Sequence, residues 1–279
     1  SDSLRATQLV GVSRERLLVR NECGERPQQW TAASPQLDIP DIRENLEILR
    51  VGQRIGERYT VTRLIGRGRV GSIYEAQTDD EQGVAVKALK LSCDGIELGG
   101  AEQFVEQAQK LVAIDDPHIV KVVEAGIDEA CGCAFVVMEL LPGSDLRCYS
   151  NDHGALNPGA VARLFFEAGR GLASAHSRGI VHCNISPTNL FLQEQVDGRV
   201  SVTLCDFSVP GCVEVSGPHL RFDVAAYMAP EQHQTPPQID HRSDIWSLGV
   251  ALYQALSGAL PWSDLNTTND VIEAIRDRE

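Results

Sequence analysis

A chain of 279 residues is long enough to bury a substantial core and suggests one large domain, or two lobes with an extension. Its 25 Lys and Arg against 39 Asp and Glu leave a formal charge of -14 that no basic run offsets, so a nucleic-acid partner or an anionic lipid surface is disfavoured. No apolar run approaches the roughly 18 residues of a membrane span, and Ser1-Asp2-Ser3-Leu4-Arg5 lacks the regions of a signal peptide, which predicts a soluble fragment with no membrane insertion.

The cysteines Cys23, Cys93, Cys131, Cys133, Cys148, Cys183, Cys205 and Cys212 are scattered through apolar context, which fits reduced thiols and a cytoplasmic location. Cys131-Gly132-Cys133 is the only close pair. Zinc would need two further ligands that the spacing does not offer, so the triplet reads as a turn between strands.

Residues 1–50 stand apart from the rest of the chain. Gln8-Leu9-Val10-Gly11-Val12 and Arg16-Leu17-Leu18-Val19 read as short strands, Pro27, Pro35 and Pro40 as linker, and Asp41 as the cap of a helix through Leu49. A segment packed on the next lobe, the tail of a preceding domain and a flexible arm all fit. An intramolecular contact or an oligomer through this extension stays open.

From Tyr59 the texture alternates between apolar and polar residues. Tyr59 to Ile65 predicts a strand, Gly66-Arg67-Gly68-Arg69-Val70-Gly71 a turn, and Ser72 to Ala76 a second strand. Glycines there let backbone amides approach phosphates without an intervening side chain, although Arg67 and Arg69 crowd the turn. A third strand, Gly83 to Leu89, carries Lys87. Helix is predicted from Ala101 to Ala113 with Phe104, Ala108, Leu111 and Val112 as its buried face, and then strands over Ile119 to Glu124 and Phe135 to Glu139. Leu140-Leu141-Pro142-Gly143 breaks the pattern.

The remainder reads as mainly helical. Pro158 to His176 is amphipathic, with Val161, Leu164, Phe165, Ala168, Leu172 and Ala175 on one face. It leads into Gly179-Ile180-Val181-His182-Cys183-Asn184-Ile185-Ser186-Pro187-Thr188-Asn189-Leu190. A short strand over Val200 to Leu204 precedes Cys205-Asp206-Phe207-Ser208; Tyr227-Met228-Ala229-Pro230-Glu231 and Asp244-Ile245-Trp246-Ser247-Leu248-Gly249-Val250 come after it.

In order and spacing, these motifs over residues 59–279 resemble a bacterial Ser/Thr protein kinase domain of the eukaryotic-like (Hanks) type. The resemblance implies an α+β, bilobal fold: residues 51–279 as the kinase-like domain, with a small lobe at 51–141 and a mainly helical lobe at 142–279. The lobe looks truncated after the helix at Asp270 to Glu279, and the arginine that pairs with Glu231 in the family would lie beyond that point. The resemblance also implies a nucleotide site at Gly66, Gly68, Gly71, Ile73, Ala85, Lys87, Met138, Glu139 and Leu141. Asp206 and Asn189 would be oxygen ligands for Mg²⁺, with ATP as the nucleotide. His182 and Phe207 would be packing residues, and the aspartate Asp244 would brace the catalytic loop.

Departures from the family pattern cluster where phosphate is transferred. Asn184 stands for the catalytic aspartate, Ser186 for the lysine that stabilises the moving phosphoryl group, and Val224 for a threonine in contact with both. Cys183 replaces the arginine that receives an activation-loop phosphate, and between Asp206 and Glu231 only Ser208 and Ser216, besides Tyr227, offer hydroxyls. Gln107 stands where a glutamate would pair with Lys87, with Glu106 next door and Glu102 as the other candidates should the register differ. The expectation is a pseudokinase, not an enzyme, that binds a protein partner as a regulatory or scaffolding module, gated by ATP and Mg²⁺. The alternative is a weakly active or atypical ATP-dependent Ser/Thr kinase or a nucleotidyl transferase. A purely structural scaffold with an empty cleft is a third reading.

Overall fold

A computed structural model describes residues 48–67, 71–91, 98–153, 156–208, 220–234 and 236–277. The strands and helix expected before Ile48 lie outside these residues, as do Gly68, Arg69, Val70 and Ser216.

Six antiparallel strands form the first sheet: β1 (Arg54–Ile55), β2 (Tyr59–Arg67), β3 (Ser72–Gln77), β4 (Gly83–Lys90), β5 (Val122–Asp128) and β6 (Cys133–Glu139), in the spatial order β1-β2-β3-β4-β6-β5. Alternation in β2 and β3 turns Tyr59, Val61, Tyr74 and Ala76 inward. β4 is central and covered on both faces, so Val84, Ala85, Val86, Ala88 and Leu89 are all buried. Leu49 completes the core on this side, and the hydroxyl of Tyr74 accepts from the backbone N–H groups of Ile48 and Leu49 at 3.0 and 3.1 Å. The chain at 48–50 is therefore not the end of a helix, as the Asp41 to Leu49 reading required.

Helix α1 (Leu98–Val112) crosses the sheet and packs on β5 and β6. Ala101, Phe104, Val105, Ala108 and Leu111 recur every three or four residues and are buried. Val112, expected on this face, is instead 45% exposed, because it lies one helical step beyond the stripe. Cys131 and Gly132 form the turn between β5 and β6, with Gly132 at φ 64° and the Cys131 sulfur accepting from Gln53 Nε2 at 3.2 Å. Burial pushes the Cys133 thiol up to about 12.

β5 starts at Val122, three residues later than expected. Ile119 and Val120 have another role. They bridge to the end of β9 (Val200–Leu204), with Val120 N donating to Leu204 O at 2.9 Å and Leu204 N to His118 O at 2.8 Å. This ladder carries the first sheet to the second, formed by β7 (Ser144–Asp145), β8 (Leu190–Glu194) and β9.

Between them run α2 (Leu146–His153) and α3 (Pro158–His176), the latter capped by Asn157, whose side chain accepts from Gly159 N at 2.9 Å. Every residue assigned to the apolar face of α3 is buried. After the one-turn α4 (Phe222–Ala225) come α5 (His241–Ser257), capped by Asp240 and closed by Gly258 at φ 78°, and α6 (Thr268–Asp277). One apolar core runs from Phe104 and Val136 through Leu164, Ile185 and Leu204 to Val250 and Ile275. The loop between α3 and β8 is therefore set in a continuous packed body.

Candidate active site

The segment Ile180 to Asn189 leaves α3 and enters β8 through a single 3₁₀ turn at Pro187–Asn189. Cys183 has φ 61°, a left-handed conformation that costs a non-glycine residue about 1–3 kcal/mol and persists only where its surroundings enforce it. Asp244 of α5 supplies the enforcement. Its carboxylate, 1% exposed, accepts from His182 N and Cys183 N at 2.8 Å each, and contacts His176 Nε2 at 2.7 Å. The bracing role expected of this aspartate is thus visible atom by atom.

The His182 ring packs against Phe207 with centroids 4.1 Å apart and the planes tilted by 31°, and the His182 backbone carbonyl accepts from Ser208 N at 2.9 Å. Burial holds the imidazole below its ordinary value, favouring the neutral ring. Burial likewise pushes the Cys183 and Cys205 thiols well up. Neither is a ready nucleophile.

Asp206, which follows β9, also has a left-handed backbone, φ 63°. One of its carboxylate oxygens pairs with the ammonium of Lys87 on β4, and the other accepts from Asn184 Nδ2 at 3.1 Å. The same Nδ2 lies 3.4 Å from the Asp206 carbonyl. Asn189 Nδ2 donates to the Asn184 carbonyl at 2.6 Å, and the Asn189 carbonyl accepts from Cys205 N at 2.9 Å. Lys87, Asp206, Asn184 and Asn189 therefore form one connected polar group. Lys87 Nζ also lies 5.5 Å from the centroid of the Phe104 ring.

Gln107 does not hold Lys87. Its Nε2 reaches the Val181 carbonyl at 3.2 Å, so the helix residue expected beside the lysine grips the segment leading into the loop instead. Glu106 turns outward to Lys110, at 2.8 Å.

Ser186 Oγ pairs with Thr188 Oγ1 at 2.8 Å, while Val224 packs with Leu220, Ala225 and Met228 in a separate apolar cluster. Glu231, whose partner was expected beyond the chain, accepts from Ser243 Oγ at 2.5 Å. Arg276 of α6 donates to the His233 carbonyl.

Several of the residues assigned to a nucleotide are neighbours in the first sheet, and Gly68 lies outside the described residues. Gly66, Ile73 and Lys87 are neighbours across β2, β3 and β4, and Ala85 is opposite Met138 on β6. Gly71 has a reason of its own to be glycine: a Cβ there would sit 2.3 Å from the Ala88 carbonyl oxygen. The Glu139 carboxylate accepts from Lys121 N at 2.8 Å, and Leu141 lies in the link from β6 to β7.

Asp206 and Asn189 present hard oxygen donors, and the Asp206 side chain is 29% exposed rather than sealed, so the donor set suits Mg²⁺. No group of three or more His, Cys, Asp or Glu side chains placed to hold a metal ion occurs among the described residues.

The family model for the protein kinase domain matches residues 59–279. The chain belongs to the protein kinase family. Among similar proteins, serine/threonine-protein kinase pkn3 of Myxococcus xanthus is 30% identical over 220 residues, covering 76% of this chain and 40% of its own length. Serine/threonine-protein kinase PknA of Mycobacterium tuberculosis is 32% identical over 229 residues, covering 77% of this chain and 50% of its own. The crystal structure of the Mycobacterium tuberculosis PknI kinase domain superposes with a TM-score of 0.62 at 25% identity, covering 76% of this chain and 79% of that one. The chain spans half or less of the length of these curated relatives.

These findings uphold the family and the α+β, bilobal fold. They overturn the expectation that the chain is not an enzyme, because its relatives are named as Ser/Thr protein kinases. The inference from degenerate positions to inactivity gave the base too much weight. Phosphoryl transfer depends chiefly on positioning and charge stabilisation, and the Lys87–Asp206 pair stands at the centre of the site.

Reading residue by residue misses the donor on Asn184. An amide is a failed base, but unlike a carboxylate it also carries N–H groups. The Phe104 ring beside Lys87 likewise reads in the sequence only as core. No helix among the described residues is long and apolar enough to cross a membrane.

Proposed function

We propose that this chain is a slow, ATP-dependent Ser/Thr protein kinase domain that uses Mg²⁺ and transfers phosphate to a hydroxyl of a protein substrate. The observation that carries the reading is the Lys87–Asp206 pair, joined through Asn184 to Asn189 at the foot of the glycine strands. In this reading Gly66, Gly68, Gly71, Ile73, Ala85, Lys87, Met138, Glu139 and Leu141 hold ATP, within a small lobe at 51–141. The lobe at 142–279 presents the loop to the substrate.

When bound, Mg²⁺ neutralises charge on the triphosphate; Asp206 and the Asn189 side-chain oxygen would hold it. Lys87 draws the phosphates toward β4. Asn184 has no useful basicity. Its Oδ1, which has no donor among the described residues, accepts the substrate hydroxyl and orients it for in-line attack. Loss of a positioned base costs about 10²–10⁴-fold, so turnover falls by roughly that factor below the 1–100 per second typical of kinases.

Transfer from γ-labelled ATP to a generic protein substrate measures this. Slow label transfer that disappears in Asp206→Ala supports the reading. No transfer above that control, at enzyme concentrations that resolve the predicted rate, rejects it. Pyrophosphate in place of ADP as the product would favour nucleotidyl transfer.

A further inference from the structure

We infer that Asn184 is a positioning residue that holds the Asp206 carboxylate where a divalent cation would otherwise be needed, so that the cleft is assembled before any metal arrives. The inference deepens the kinase reading, since it assumes that Asp206 is the metal-facing carboxylate.

A carboxylate has no donor, and that of Asp206 is held on a left-handed backbone beside the loop. Lys87 engages one oxygen and Asn184 Nδ2 the other, at 3.1 Å, so both are occupied by groups of the chain itself. Asn184 in turn is fixed from behind. Its carbonyl accepts from Asn189 Nδ2 at 2.6 Å, and its backbone N lies 3.3 Å from His182 Nδ1.

An aspartate at this position would alter the contact in kind. Two carboxylate oxygens would face each other across the same gap with no proton between them. Like charges that close repel, and with Lys87 already engaged by the far oxygen of Asp206 the contact is kept only if a proton or a further cation comes between them; otherwise the two side chains move apart. The amide removes the repulsion and replaces it with a hydrogen bond to a charged acceptor, one of the stronger kinds. The substitution that removes the base therefore also removes a demand for metal. The protein should hold its cleft closed without Mg²⁺, and should bind nucleotide with unusually little dependence on it.

The test is thermal melting of the full chain without nucleotide, in EDTA and in millimolar MgCl₂. Wild type is expected to melt at nearly the same temperature in both. Asn184→Asp should melt a few degrees lower in EDTA and recover in MgCl₂. In an Asp206→Asn background the same substitution should cost little, because the opposing charge is gone. Asn184→Leu, which loses the donor without adding charge, should fall in both solutions and not respond to MgCl₂.

Three results would overturn the inference: an Asn184→Asp melt equal to wild type in EDTA, a fall that MgCl₂ does not reverse, or an equal fall with Asp206→Asn. Should Asn184→Asp be recovered folded only when Mg²⁺ is present throughout purification, the inference is supported. Because no nucleotide is used, failed phosphate transfer leaves this test intact, and failure here leaves the transfer reading standing.

Discussion

The loop from Ile180 to Asn189 has two sides, and they are held by different means. On the inner side a single buried carboxylate, Asp244, gathers two loop N–H groups and a histidine, and forces Cys183 into a left-handed turn. On the cleft side, partly open to solvent, Asn184 and Ser186 stand where the family pattern has charged residues, and their hydrogen bonds run to Asp206 and Thr188. The frame is specified by burial, where an unpaired group is costly. The cleft face carries no such penalty, so its chemistry has changed without disturbing the fold.

The largest effect should come from restoring that face. Asn184→Asp together with Ser186→Lys is expected to raise phosphate transfer by about 10²–10⁴-fold in MgCl₂, with the two changes acting as a unit. A gain below about tenfold would mean that the defect lies elsewhere in the molecule, not on the cleft side of the loop.

Breaking the inner side is the converse experiment. Asp244→Ala orphans the His182 and Cys183 N–H groups and should cost about 3 kcal/mol or more in a urea titration. An unchanged midpoint would end the view that Asp244 maintains the frame. Gly71→Ala follows at about 1–3 kcal/mol, since its Cβ would press on the β4 backbone carbonyl of Ala88. Any stabilisation by ATP should weaken in the same variant.

The smallest effect concerns pH. Burial holds both His182 and His233 below the ordinary imidazole value of 6.5, so each binds a proton more readily in the unfolded chain. Stability from these residues is complete above pH 6.5 and declines as pH falls through that value toward the folded-state values. Denaturant midpoints should therefore drop steadily between neutral and mildly acid pH. A flat profile would show that neither ring is held neutral by packing.

Much of this frame is legible in the residues. The period of α3 names every buried position on its inner face except Gly171, and the strands expected over Tyr59 to Ile65 and Gly83 to Leu89 fall within β2 and β4, although Gly66 and Arg67, expected in the turn, still belong to β2. Asp244 as the brace of the loop, and His182 and Phe207 as packing residues, follow from the motif resemblance; that the two rings meet does not. The misses have physical causes. Val112 lies one step past an otherwise regular stripe, and Ile119 pairs with Leu204 of a strand far along the chain, which local pattern cannot report.

At the site, residue type alone tells which groups lack basicity or charge, and this leads to the mistaken expectation of inactivity. Similarity to named kinases corrects it. Which partner each polar group takes is decided by distances between distant segments. Gln107 spans 74 residues to Val181, and Lys87 pairs with Asp206 from beyond the other sheet, so the glutamine on α1 is released for other work.

By itself the sequence determined the protein kinase family, the order of the longer strands and helices and the identity of the changed residues, because periodicity and motif spacing are local properties; β1, β7, β8, α2 and α4 appear only in the structure. Only the tertiary structure decided that Asn184 faces Asp206 with its donor rather than its acceptor. An amide offers both, and the choice belongs to the neighbour that folding brings to it.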